Sequence, residues 1–124
     1  MAEKILIVDD DVDSLKLIGL MLKRHNYDVV VADAGQKALA KAEAEIPDLI
    51  ILDVMMPDMN GLEVARRLRA SDKTKDIPII MISAGRDIAQ SAMDSGADDF
   101  IEKPFGMEDL LEKVARYTDD SAKK

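Results

Sequence analysis

Four short apolar runs in this chain end in side chains that phosphate chemistry uses. ILIV precedes Asp9, Asp10 and Asp11; LIIL precedes Asp53; IIMI precedes Ser83; and DFIE precedes Lys103. If Asp9 or Asp10 lies within roughly 4 Å of Asp53, the two carboxylates repel by about 4 kcal/mol at an effective dielectric near 20. That is a large share of a small domain's stability of about 5–15 kcal/mol, so a proton or a cation must relieve it. With carboxylate oxygens, backbone carbonyls and water as donors, the cation is hard: Mg²⁺, with Mn²⁺ as the second choice, ahead of zinc or copper. Asp53, alone at its strand end, is placed to be the oxygen nucleophile of an aspartyl-phosphate. Lys103 would neutralise a phosphoryl oxygen and the Ser83 hydroxyl would hydrogen-bond another. Taken singly, each of these residues is also an ordinary turn former, strand-end hydrogen-bonder or surface charge. Their joint occurrence at successive strand ends favours the chemical reading.

For those ends to meet, the runs must be parallel strands of one sheet, because α/β folds place their sites at the carboxyl edge. The intervening segments are helical by periodicity. Strands are expected at Lys4 to Val8, Asp28 to Ala32, Leu49 to Leu52, Ile79 to Ser83 and Asp99 to Glu102. Helices are expected at Asp11 to Arg24, Gln36 to Ala44, Leu62 to Arg69, Asp87 to Ser95 and Met107 to Tyr117. Pro57 and Gly61 make MMPDMNG a loop, with Asn60 as N-cap of the third helix and Gly96 as the stop of the fourth. Five βα units with right-handed crossovers imply an α/β, doubly wound parallel sheet covered by helices on both faces. Periodicity leaves the strand order open.

At 124 residues, 48% hydrophobic and 34% charged, the chain has the size and composition of one folded domain. Residues 1–120 are taken as that domain and 121–124 as a polar tail. Cysteine is absent, which removes disulfides, thiolate metal sites and cysteine nucleophiles. No leader or membrane-spanning run is visible, so a cytoplasmic protein without membrane contact is the default. A net charge of −8 is the opposite of a nucleic-acid footprint, so direct binding to nucleic acid is not expected. The basic stretch Arg66, Arg67, Arg69, Lys73 and Lys75, interrupted by Asp72 and Asp76, is taken as a solvated helix face. His25 at a helix end is taken as a C-terminal helix charge and not as a phosphohistidine.

The segments ILIVDDD, DVMMPDMNG, MISA and FIEKPF, in this order and spacing, resemble a response-regulator receiver domain of the stand-alone chemotaxis type. The resemblance implies a flavodoxin-like sheet in order 2-1-3-4-5 with five helices. It makes Asp53 the phosphoacceptor, with Asp10 on Mg²⁺ directly, Asp9 acting through water and Met55 offering its backbone carbonyl. Ser83, Lys103 and the Ala84 backbone N–H would hold the phosphoryl group, and Lys103-Pro104 would be cis. Ser83 and Phe100 would form the switch, although many relatives carry tyrosine at that aromatic, so the readout here must come from packing. Gly85 and Met55 would gate water's approach, and Asp11 would start the first helix. The implied function is a phosphorylation-activated switch of a two-component system, which takes phosphate from a sensor histidine kinase or histidine phosphotransfer protein and signals to a downstream protein. Its only catalysis would be its own Mg²⁺-dependent phosphorylation and dephosphorylation.

Other readings make distinct demands. A receiver belonging to a longer regulator with an effector domain would carry the same motifs. A Mg²⁺-dependent phosphatase resembling the haloacid-dehalogenase family would carry a second aspartate two residues beyond the nucleophile, where this chain has Met55. A nucleotide- or flavin-binding module would open its first βα turn with glycines, where this chain has DDDVDS. A purely structural domain would gain no thermal stability from Mg²⁺.

Overall fold

Successive side chains of each strand point to opposite faces of the sheet, and both faces are covered. The computed structural model describes residues 3–84 and 88–118. Gly85, Asp87 and the tail 121–124, to which expectations were attached above, lie outside the described residues. Strands β1 (Lys4–Val8), β2 (Asp28–Ala32), β3 (Leu49–Asp53), β4 (Ile79–Ser83) and β5 (Asp99–Glu102) alternate with helices α1 (Val12–Arg24), α2 (Gly35–Glu45), α3 (Gly61–Ala70), α4 (Ile88–Asp94) and α5 (Met107–Thr118). All pairings are parallel, in the order β2-β1-β3-β4-β5. Leu6, Val8, Ile50, Leu52, Ile79 and Met81 pack one way, against Ala38 and Ala42 of α2, Val64 and Leu68 of α3 and Ala92 of α4. Ile5, Ile7, Leu49, Ile51, Ile80 and Ile82 pack the other way, against Leu15, Ile18 and Leu22 of α1 and Leu110 and Val114 of α5. Because both faces are covered, the central strands are apolar throughout.

Helix starts differ from the sequence expectation by a residue where a cap decides the boundary. Asp11 is the N-cap of α1, its side chain accepting from Asp13 N at 3.1 Å and from Ser14 Oγ at 3.0 Å. Asn60 caps α3 by accepting from Glu63 N at 3.0 Å, as expected. His25 is the C-cap of α1, and its Nδ1 lies 3.0 Å from Met21 O.

One member of the expected solvated basic face is misassigned by sequence. Arg66 and Arg67 do lie at the surface, pairing with Glu63. Arg69 instead folds inward: Nε donates to Gly96 O at 2.9 Å, Nη1 to Lys75 O at 2.9 Å and Ile77 O at 2.6 Å, and Nη2 pairs with Asp98 at 2.7 Å. It joins the end of α3 to the entrances of β4 and β5, satisfying carbonyls that no strand or helix uses. Arg69→Met, which keeps the stem and removes the donors, is expected to cost about 2 kcal/mol or more. Arg66→Met should stay within about 0.5 kcal/mol. Urea-unfolding midpoints at unchanged m compare the two, and equal midpoints would refute the distinction.

Candidate functional site

The pattern that builds the core also builds the site. Leu49 and Ile51 face α1 and α5, and the next residue of that parity is Asp53; Ile5 and Ile7 lead in the same way to Asp9. Val8 is in register with Leu52, so the two aspartates emerge side by side at the carboxyl edge of adjacent strands. Each is only 4% exposed, whereas Asp10 is exposed. One carboxylate oxygen from each of Asp9, Asp10 and Asp53 lies within 4.8 Å of the other two. The backbone fixes Asp9 at both ends, since its N–H donates to Ala32 O at 3.2 Å and its Oδ1 accepts from Asp11 N at 3.0 Å.

Lys103 reaches the same point from β5. Its Nζ is 3.7 Å from Asp53 Oδ1 and 4.0 Å from Asp9 Oδ2. Its backbone N–H donates to Ser83 O at 2.7 Å, and the Lys103-Pro104 peptide is cis. Ser83 is buried at the end of β4, one residue beyond Ile82, which is in register with Asp53. Ala84 follows it into solvent. Met55 lies two residues beyond Asp53 with its side chain 67% exposed, while its backbone N–H acts on the Asp53 carboxylate. Phe100 is half-buried, in register with Met81, and packs on the face of the sheet that carries α2, α3 and α4. The described site residues expected from the sequence therefore fall at the carboxyl edge or, for Phe100, just inside it, while Gly85 lies outside the described residues.

Burial, and next the neighbouring Asp9 carboxylate, push the Asp53 pKa up to about 6, against the lowering pull of Lys103. Among the described residues, one ammonium lies almost 4 Å from two buried carboxylates, fewer positive charges than negative ones. The donor set is carboxylate oxygens with a backbone loop alongside, which fits a hard divalent cation such as Mg²⁺.

The loop after Asp53 contains features that the sequence reading passed over. It folds back so that Gly61 N donates to Val54 O at 2.7 Å, and a Cβ on Gly61 would lie 2.9 Å from Val54 Cα and collide with the Asp53 carbonyl oxygen. Only glycine fits that approach. Asp58, read above simply as part of a loop, accepts hydrogen bonds from Gly35 N at 2.9 Å and Gln36 N at 3.2 Å. The available signal was Ala34: α2 begins without a side chain able to cap it.

A family model described as response regulator receiver domain matches residues 5–115. The response regulator ArlR of Staphylococcus saprophyticus is 43% identical over 113 residues, which are 90% of this chain and 50% of that protein. The chain spans about half the length of the curated relatives it matches. The chemotaxis protein CheY4 of Vibrio cholerae superposes with a TM-score of 0.88 at 34% identity, covering 94% of this chain and 99% of that one. The response regulator TrrA of Thermotoga maritima, solved in complex with Mg(2+)-BeF, superposes with a TM-score of 0.85 at 35% identity, covering 93% and 98%. Among the described residues, no helix is long and apolar enough to cross a membrane.

The raised Asp53 pKa has a defined sign in stability. Folded Asp53 holds its proton more tightly than the unfolded chain does, so stability falls as pH rises from about 4 to about 6 and the penalty is complete above that window. Moving a pKa from 3.8 to about 6 corresponds to about 3 kcal/mol. In metal-free buffer, Asp53→Asn is expected to stabilise the protein at neutral pH by up to that amount and to flatten the slope between pH 4 and 6. Urea unfolding across that range measures both effects, and a variant with the wild-type slope would show that another group carries the charge penalty.

Proposed function

This chain belongs to the response regulator receiver domain family, and we propose on that premise that Asp53 accepts a phosphoryl group and that the domain relays it as a change in surface. It is a phosphorylation-switch domain of the two-component type, not a conventional enzyme. The reading is carried by one observation: a buried aspartate among two further carboxylates, with a lysine ammonium 3.7 Å away.

In this reading residues 1–120 act as one phosphoacceptor unit. The donor is a phosphohistidine of a sensor kinase or phosphotransfer protein. A groove of about 510 Å³ between α1 and the turn after β5, lined by Asp9, Leu17, Lys103 and Phe105 among others, borders the cluster and gives a donor side chain room to approach. An Asp53 carboxylate oxygen attacks phosphorus, the P–O bond forms, and the P–N bond breaks with its electron pair leaving on the imidazole nitrogen. With a pKa of about 6, Asp53 is ionised and nucleophilic at neutral pH. Asp10, Asp53 and the Met55 carbonyl would hold Mg²⁺, with Asp9 acting through water; the ion supplies positive charge for the phosphoryl oxygens. Lys103 pairs with one phosphoryl oxygen, while the Ser83 hydroxyl and the Ala84 N–H donate to others.

Phosphorylation adds about −1.5 to −2 charges and three acceptor oxygens. Converting a 1:99 population into 99:1 takes about 5.5 kcal/mol of differential interaction. Recruitment of Ser83 and Lys103 to the phosphoryl group supplies part of it, and Phe100, on the same face of the sheet as Ser83 and already half-buried, reads it out by repacking. Partners beyond the phosphodonor follow from that surface. The net charge of −8 argues against direct nucleic-acid contact by this domain.

Incubation with acetyl phosphate is expected to label the wild type only when Mg²⁺ is present, and Asp53→Asn is expected to remove the label. Intact-protein mass spectrometry reads the added phosphoryl mass directly. Undiminished labelling of the variant, or wild-type labelling indifferent to Mg²⁺, would overturn the assignment.

A further inference from the structure

We infer that Asp58 is a positioning residue for the phosphoacceptor site, clamping the loop that carries Met55 to the turn that braces Asp9. The inference rests on the function proposed above. The loop from Val54 to Asn60 leaves the sheet at the nucleophile and has to present a backbone group, Met55, at a set place relative to Asp9 and Asp53. Gly61 N closes its base onto Val54 O. That bond fixes the ends of the loop and leaves its middle to be held by something else.

Asp58 supplies the hold. Its two carboxylate oxygens take separate donors, Oδ1 from Gly35 N at 2.9 Å and Oδ2 from Gln36 N at 3.2 Å, both at the start of α2 and over twenty residues away in sequence. These backbone hydrogen bonds also keep the Asp58 carboxyl below its usual pKa, so it stays ionised and accepting at working pH. The approach is close because Gly35 has no side chain: a Cβ there would lie 2.7 Å from Met59 Cβ. The turn being gripped is itself part of the site's frame. Ala32 O, three residues before Gly35, accepts the N–H of Asp9 at 3.2 Å. The path from Asp9 thus runs by one hydrogen bond to the end of β2, along the short chain from Ala32 to Gly35, and by two hydrogen bonds to Asp58, which lies three residues from Met55.

A plain helix cap would account for the same contacts, since Ala34 at the N-cap position has no side-chain oxygen to offer. The two roles separate experimentally. Ala34→Ser gives α2 a cap of its own and leaves the loop untied, so in an Asp58→Ala background it returns helix stability without returning the clamp. Mn²⁺ is the probe for the divalent ion, and electron paramagnetic resonance of the free ion reads its affinity without any reaction, at a temperature where circular dichroism shows each variant folded. Asp58→Ala is expected to weaken Mn²⁺ binding on the order of tenfold, as loss of an outer-shell support does. The double variant Asp58→Ala with Ala34→Ser should stay equally weak, and Asp58→Asn, which retains one acceptor oxygen, should fall between. Wild-type affinity in Asp58→Ala, or affinity recovered by adding Ala34→Ser, would overturn the positioning role. Asp53→Asn separates the two levels of the argument. If it binds Mn²⁺ as the wild type does, the acidic-cluster reading has failed; if it loses binding while Asp58→Ala does not, only the clamp has failed.

Discussion

Two carboxylates, Asp9 and Asp53, are held side by side out of water, with a third within 4.8 Å and the Lys103 ammonium just within reach. Such crowding is unfavourable for folding, and the surrounding fold is arranged to hold it in place. The hydrophobic residues on both faces of β1 and β3 set the positions of the two strands, so their ends cannot drift apart to lower the repulsion. Asp9 in addition is pinned through its own backbone and through its carboxylate. What remains adjustable is charge, which a proton or a cation can offset. A divalent cation held there would offset both the crowded carboxylates and the negative charge that a phosphoryl group adds.

Three hydrogen bonds to backbone hold the carboxyl edge around the site together. Asp9 N reaches Ala32 O, Asp58 reaches Gly35 N, and Lys103 N reaches Ser83 O. The first and third extend the β1–β2 and β4–β5 ladders by one rung, and the second joins the β3–α3 loop to the β2–α2 turn. At the opposite edge of the sheet Arg69 does similar work with a side chain, gathering carbonyls from Lys75, Ile77 and Gly96.

Which of these features a linear sequence can carry depends on how far apart the interacting residues lie. The strands were legible because a five-residue apolar run between turn signals has few other structures open to it. The caps Asp11 and Asn60 were legible because a capping side chain bonds only two or three residues along the chain. The acidic cluster was legible in kind from strand-end chemistry alone, whereas the strand order that makes Asp9 and Asp53 neighbours came through family resemblance, periodicity being silent about which strands pair. Arg69 and Asp58 were not legible. Arg69 sits in a run of arginines of which Arg66 and Arg67 are solvated, and what distinguishes it is a set of carbonyls six to twenty-seven residues away. Asp58 looks like a turn residue because its partners belong to a helix that precedes it by more than twenty residues.

The position of the nucleophile within the sheet also bears on how a signal would leave the site. Asp53 has the parity of the α1 and α5 face, while Ser83, after Ile79 and Met81, has the parity of the α2 to α4 face. A phosphoryl group on Asp53 that recruits Ser83 would therefore draw on the layer opposite the one its own side chain belongs to. Phe100 is in register with Met81 and shares the layer of Ser83, so any space vacated near Ser83 is space beside Phe100. Because Phe100 has no hydroxyl to satisfy, an inward move of the kind proposed would exchange solvent for apolar contact with no polar group to desolvate. The cost of such a rearrangement would lie in packing alone, which would favour two discrete arrangements over a graded one, since a close-packed layer does not deform continuously.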